Sequence, residues 1–164
     1  MTSNKPKSSI VIIGNGISGI TTARHIRKQS NVEITIISDE SPYFFSRTAL
    51  MYVYMGHMQF EHTQPYENNF WEKNKISLVH KRVAKLISEK HMLAFEDGSS
   101  IVYDKLVIAT GSKPNRFGWP GQNLKAVQGL YHKQDLEQLE AWSGSIKSAT
   151  IVGGGLIGIE LAEM

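Results

Sequence analysis

The sequence contains no cysteine. That absence excludes disulfides, thiolate metal sites, cysteine-ligated iron–sulfur clusters and a thiol nucleophile from these residues. Long apolar runs are missing too. Nothing approaches the ~20 consecutive apolar residues that a membrane span needs. The polar stretch Met1–Ser9 leads into only four apolar residues, so the apolar core of a secretory signal is lacking. Together these features point to the cytoplasm. Charge of one sign is not in large excess: 18 Lys and Arg against 15 Asp and Glu leave +3. The basic residues are also dispersed, which argues against nucleic acid as a partner. Neither a Gly-x-Ser-x-Gly elbow nor a Gly-Lys-Ser/Thr phosphate loop occurs. What remains is an ordinary globular composition, 41% hydrophobic over 164 residues. That is enough for one domain with a core and short for most two-domain enzymes.

Glycine is where the chain becomes informative. Ile10-Val11-Ile12-Ile13 is an unbroken apolar run of strand-favouring residues, expected to be buried on both faces of a parallel sheet. Gly14-Asn15-Gly16-Ile17-Ser18-Gly19 interrupts it. Ile17, Ile20, Ala23 and Ile26 then recur at helical spacing until Ser30-Asn31, and Val32–Ile37 reads as a second strand. Strand, helix and strand within roughly 30 residues form a βαβ unit. In such a unit the first glycine allows a tight turn, the second lets a pyrophosphate approach the backbone, and the third lets helix and strand pack closely. The free N–H groups at the helix start favour phosphate. Asp39 stands 20 residues after Gly19, where a carboxylate accepts hydrogen bonds from ribose hydroxyls. Glu40 is the adjacent rival for that role.

The middle of the chain is less regular. Thr48–Met55 is expected to be a short helix, His62–Pro65 a loop, and Tyr66–Lys73 a second short helix. Phe70 and Trp71 are read as packing that helix rather than stacking a base. Short β-like runs follow at Ile76–Val79, Val83–Ile87, Met92–Phe95 and Ile101–Tyr103, with a turn at Asp97-Gly98. Leu106–Ala109 is expected to be another buried strand, and Thr150-Ile151-Val152 a further one. Asp135–Trp142 reads as a helix. His57 and His62, with Glu61 between them, lack a spacing that supports metal binding.

An internal repeat organises these pieces. A shift of 139 residues lays Gly14, Gly16 and Gly19 on Gly153, Gly155 and Gly158, and matches the apolar positions around them. The chain therefore holds two copies of one strand–turn–helix device, the second reaching only to Met164.

With those motifs the sequence resembles the flavoprotein pyridine nucleotide-disulfide oxidoreductases. The resemblance is carried by Gly14–Gly19, by Ser38-Asp39-Glu40 followed by Arg47, by Tyr103-Asp104-Lys105-Leu106-Val107-Ile108-Ala109-Thr110-Gly111, and by Gly153-Gly154-Gly155-Leu156-Ile157-Gly158-Ile159-Glu160. It implies an α/β, Rossmann-like FAD/NAD(P)-binding fold of three layers with a parallel central sheet and a small β-meander, incomplete at the C-terminus. The implied domains are an FAD-binding part over 1–111, a linker with a connecting helix over 112–146, and the start of an NAD(P)-binding domain over 147–164. FAD would be held by Gly14, Asn15, Gly16, Ile17, Ser18, Gly19, Asp39 or Glu40, Arg47, Val83 through its backbone, and Ala109-Thr110-Gly111. NAD(P)H would be held by Gly153, Gly155, Leu156, Ile157 and Gly158, with Glu160 near the nicotinamide and flavin rings.

The resemblance further implies an oxidoreductase in which hydride passes from NAD(P)H to flavin and electrons leave to an external acceptor. That acceptor would be a small molecule or an electron-transfer protein. Lacking the family's redox cysteines, the sequence resembles either the ferredoxin- and rubredoxin-reductase-like branch or, over Tyr43–Met55, the flavin module of assimilatory nitrite reductases. It departs from the former at Tyr52, where a lysine often follows the matching arginine. A redox sensor without turnover is the alternative. Residues 1–164 alone are expected to bind FAD poorly and to aggregate or form a homodimer through Ile151–Leu161.

Overall fold

In a computed structural model, residues 8–164 are described. Most of the polar N-terminal stretch read above therefore lies outside the described residues. The elements in order are strands β1 (Ser9–Ile13), β2 (Glu33–Ser38), β3 (Ile76–His80), β4 (Val83–Ile87), β5 (Met92–Phe95), β6 (Ser100–Val102) and β7 (Lys105–Ile108). The α-helices are α1 (Ile17–Gln29), α2 (Leu50–Tyr54), α3 (Phe70–Lys73), α4 (Lys133–Ser143) and α5 (Leu156–Glu163). The chain divides into two compact units. One holds the described residues up to Phe45 together with Tyr66–Gly111, and the other holds Ser46–Pro65 together with Ser112–Met164.

The first unit is built on a parallel sheet of order β3-β2-β1-β7. Its register pairs Ile12 with Ile36 and with Val107, and Ile36 with Leu78. Because side chains alternate across a strand, the apolar runs feed two cores. Ile12, Ile20, Ala23, Ile34, Ile36, Phe44, Trp71 and Ile76 form one, where α1 and an aromatic segment cover the sheet. Val11, Ile37, Leu93 and Phe95 form the other, where a second, antiparallel sheet of order β4-β5-β6 covers the opposite face. The result is three layers, as the unbroken Ile/Val runs require of a sheet buried on both sides.

Two local devices fasten opposite ends of the first unit. Arg27, in the last turn of α1, donates to the carbonyls of Ser30, Val32 and Lys75. This satisfies carbonyls where α1 gives way to β2, and a cation there also suits the helix dipole. At the other end of the sheet the β5–β6 hairpin turns at Asp97-Gly98, with Gly98 at φ +83°. There Asp97 accepts from the Ser99 N–H and Ser99 Oγ and pairs with Lys81 at 2.7 Å.

Several expectations need correction. Leu106–Ala109 is not a buried strand: β7 is an edge strand and Ile108 is 62% exposed, because no further strand lies beside it among the described residues. Thr150-Ile151-Val152 forms no strand, and Val152 is 72% exposed. An extended segment becomes a strand only when a neighbour takes its backbone hydrogen bonds, and none does here. The helix expected over Tyr66–Lys73 is confined to Phe70–Lys73. Tyr66 instead stacks on Phe70 at 4.5 Å and meets Trp71 edge-on. The expected loop at His62–Pro65 begins with the end of a 3-10 turn, Phe60–Thr63. Trp71 is a buried core residue, as read.

Candidate dinucleotide site

The glycine turn between β1 and α1 has different demands at each glycine. Gly14 sits at φ +110°, and a Cβ there would lie 2.1 Å from the carbonyl oxygen of Ala109. Both the backbone conformation and the passing end of β7 therefore require glycine. Gly14 N–H donates to Ile37 O (2.7 Å) and Ala109 N–H to Ile13 O (2.8 Å), so the turn is bound to the sheet on both sides. A Cβ on Gly19 would lie 2.0 Å from the carbonyl oxygen of Gly14, which lets α1 pack directly on the turn. Gly16 is different. It caps α1 in an extended conformation, and a Cβ there would meet nothing within 4 Å. The fold does not need Gly16. A ligand approaching the backbone at the helix start would.

Ile17 is 68% exposed and Ser18 is exposed on the first turn of α1, the turn that carries the helix's leading backbone N–H groups. These are the N–H groups that a helix leaves without internal partners, with the positive end of the dipole behind them. Asn15 is buried. Its Nδ2 donates to the carbonyl oxygen of Ser41 at 2.9 Å. Ser41, itself buried, donates through Oγ to Tyr43 O at 2.6 Å. That chain of bonds ties the turn to the segment that carries Asp39 and Glu40, just past the end of β2.

Asp39 is exposed, with its side chain at 53%, and Glu40 is half-buried. His80 Nε2 lies 3.2 Å from the Asp39 carbonyl oxygen, and Arg82 Nη1 lies 3.7 Å from Asp39 Oδ2. Neither His80 nor Arg82 was singled out from sequence. The only available signal is that they shortly precede Val83, the first residue of β4. Val83 pairs with Phe95 at an irregular point in the β4–β5 ladder, and its side chain packs on the second core. Ala109 is half-buried against the turn, while Thr110 and Gly111 continue it in the open.

The first unit thus places Gly14, Asn15, Gly16, Gly19, Asp39, Glu40 and Ala109 around the C-terminal ends of its parallel strands, with Val83 opening β4 three residues after the end of β3. In open α/β sheets ligands bind at those ends.

Arg47 belongs to the second unit. Its guanidinium lies over the Tyr131 ring at 4.4 Å from the centroid, and its Nη1 donates to the Tyr131 carbonyl. The Tyr131 hydroxyl lies 3.1 Å from Ser112 Oγ. Tyr131 N–H and His132 N–H both donate to Asp135 Oδ2, so the start of α4 is capped by a carboxylate.

The second glycine device stands in this unit and repeats the first at its helix start, although a Cβ on Gly153, unlike one on Gly14, would meet nothing within 4 Å. Gly153 is at φ +120°, and a Cβ on Gly158 would lie 1.9 Å from the Gly153 carbonyl oxygen. Gly155 caps α5 at φ −78°, ψ −178°, close to the −72°, −178° of Gly16, and it too has open space where a Cβ would stand. Leu156 and Ile157 are exposed on the first turn of α5, and Glu160 is half-buried one turn later.

His62 Nδ1 accepts from the Gln59 N–H, and His57 stacks against Tyr52. Among the described residues no three His, Asp or Glu side chains cluster as a metal site, and no helix is long and apolar enough to cross a membrane.

Residues 8–164 match the pyridine nucleotide-disulphide oxidoreductase family model. The chain is 35% identical over 158 residues to a probable ferredoxin reductase of Castellaniella defragrans, covering 93% of this chain and 38% of that protein. It is 28% identical over 160 residues to the NAD(P)H nitrite reductase of Bacillus subtilis, covering 96% of this chain and 20% of that protein. Among solved structures it superposes on the NADH:rubredoxin oxidoreductase of Clostridium acetobutylicum with a TM-score of 0.83 at 26% identity, covering 96% of this chain and 41% of that one. The chain spans about two fifths or less of the length of these relatives. The family match over 8–164, with the same glycine geometry built twice, leads to one conclusion: the chain belongs to the pyridine nucleotide-disulphide oxidoreductase family.

Proposed function

We propose that the protein is an FAD-dependent NAD(P)H oxidoreductase whose electrons leave to an external acceptor, without a thiol from these residues. The observation that carries this reading is the contrast within the first glycine device, repeated in the second between Gly158, closed by the Gly153 carbonyl, and Gly155. Gly14 and Gly19 are closed by protein atoms, whereas Gly16 and its counterpart Gly155 face open space at a helix start. Packing explains the first pair. The approach of a pyrophosphate to the backbone at a helix start accounts for the second pair.

In this reading the first device holds FAD and the second NAD(P)H. The turn over Gly14–Gly19 offers backbone N–H groups to the pyrophosphate, with the α1 dipole behind them. Asp39, exposed just beyond β2, accepts from the ribose hydroxyls. Asn15 keeps the turn and the Asp39 segment in fixed relation through Ser41. Gly153–Gly158 offers the matching cradle at α5, and Glu160 lies one turn along that helix. When bound, FAD supplies two-electron acceptance from NAD(P)H and release of those electrons to the acceptor. The chain's own part is binding and orientation, and no acid–base residue is required of it. Similarity to a probable ferredoxin reductase and to a rubredoxin oxidoreductase supports a small iron–sulfur electron carrier as the acceptor.

The test is turnover. Full-length protein mixed with NAD(P)H and a ferredoxin should oxidise the nicotinamide continuously. A single stoichiometric oxidation, with no turnover in the presence of ferredoxin, rubredoxin or artificial acceptors, would favour a redox sensor.

A further inference from the structure

We propose that Arg82 is a positioning residue for Asp39, held at working distance by Glu96, and that it thereby governs recognition of the vicinal diol of an adenosine ribose. The inference rests on the reading of Asp39 as the ribose ligand. Its geometry is independent of that reading.

The segment between β3 and β4 is locked to the end of β2. Lys81 N–H donates to Ser38 O at 3.0 Å, and His80 Nε2 lies 3.2 Å from Asp39 O. The backbone of Arg82 is fixed from the other side, since Glu96 N–H donates to Arg82 O at 3.1 Å. From that anchored backbone one guanidinium faces two carboxylates. Its Nε lies 3.1 Å from Glu96 Oε1 and its Nη1 lies 3.7 Å from Asp39 Oδ2. The closer partner is Glu96.

This division matters chemically. A guanidinium that closed on Asp39 in a bidentate pair would occupy both carboxylate oxygens and compete with a diol for them. Held back by Glu96, it attracts the Asp39 carboxylate and biases its orientation, yet leaves oxygens open to accept from two adjacent hydroxyls. Both side chains are more than half exposed, so the effect is modest and electrostatic.

The experiment measures binding of ADP and of 2′,3′-dideoxy-ADP by calorimetry to flavin-free full-length protein carrying Gly155→Val, which closes the second device, and every comparison below is made in that background. The ratio of the two affinities isolates the diol. The parent protein should prefer ADP, and Asp39→Asn should remove most of that preference. Arg82→Gln should lower the preference about threefold, leave the dideoxy affinity unchanged, and lose its effect in the Asp39→Asn background. Arg82→Lys, which keeps the charge, should restore part of the loss. If Arg82→Gln weakens both ligands equally or neither, while Asp39→Asn still removes the preference, Arg82 does not act through Asp39 and the proposal fails. If Asp39→Asn leaves the preference intact, the ribose assignment fails and the role of Arg82 goes with it.

Discussion

The side-chain amide of Asn15 donates to the carbonyl oxygen of Ser41 at 2.9 Å, with both residues buried. This one hydrogen bond joins the glycine turn after β1 to the chain that leaves β2, so the phosphate-binding and ribose-binding parts of the proposed site are held by a shared fastening. Removing the donor leaves a buried carbonyl without that partner, at a cost of about 1–3 kcal/mol. Asn15→Ala should therefore lower unfolding stability by that amount and weaken FAD binding in the same protein. Urea denaturation and fluorescence titration with FAD check the two effects. A variant with unchanged stability would show that the bond contributes nothing net.

Glycine substitutions separate folding from binding. Gly14→Ala combines a left-handed backbone with a clash against Ala109 and should destabilise the fold by about 2–4 kcal/mol. Gly16→Ala meets open space in an extended conformation and should change stability by less than about 1 kcal/mol. Its FAD affinity should nonetheless fall by about tenfold or more, equivalent to roughly 1.4 kcal/mol. Thermal melts of the flavin-free proteins, set against FAD titrations, give both numbers. Equal effects from the two substitutions would remove the distinction on which the site assignment stands.

Gly155→Val carries the same logic to the second device. It should slow flavin reduction by NADH or NADPH at subsaturating concentration and leave bound FAD and its reduction by dithionite unchanged. Stopped-flow absorbance measures both. Wild-type rates with the nicotinamide would refute the assignment of the second device.

The glycine spacing and the Ile/Val runs were legible in the sequence because each states a local requirement. A missing Cβ marks close approach, and an unbroken apolar run marks a strand covered on both faces. The run at Ile151-Val152 looked the same as that at Ile12-Ile13, yet it pairs with nothing among the described residues. Periodicity reports a residue's preference for being paired and carries no information about whether a neighbour is there. The Tyr66–Lys73 segment misled for another reason: its aromatics pack on one another at close range, and ring packing rather than helical spacing places Tyr66. Asp39 is a candidate on its distance to Gly19, with Glu40 as the adjacent rival. Arg82 was not legible, because its relation to Asp39 arises only when the β3–β4 turn folds back on the end of β2. Nor did the spacing show that the amide of Asn15 would be engaged by Ser41.

Acid should act on the hairpin side of the fold. Hydrogen bonds from Lys81 and then from Ser99 hold the Asp97 carboxyl well below the usual carboxylate range, and bonds from Ser9 lower that of Asp104. A carboxyl whose folded value is depressed contributes stability above its unfolded value, about 3.9, and loses that contribution as pH falls below it. Asp97→Asn should therefore be less stable than wild type near neutral pH, with the difference closing as pH falls below about 4. Denaturation curves across that range test it. A difference that stays constant with pH would mean that the Asp97 charge is not involved.

The central claim is that this chain belongs to a protein that holds FAD at its first glycine device and is reduced there by a nicotinamide bound at its second. The most direct measurement is the visible spectrum of purified full-length protein before and after anaerobic addition of NADH or NADPH. The account predicts one bound FAD per chain, whose absorbance bleaches on addition of at least one of the two nucleotides. A protein that is colourless and takes up no FAD, or whose bound flavin is bleached by dithionite but by neither nucleotide, would contradict it.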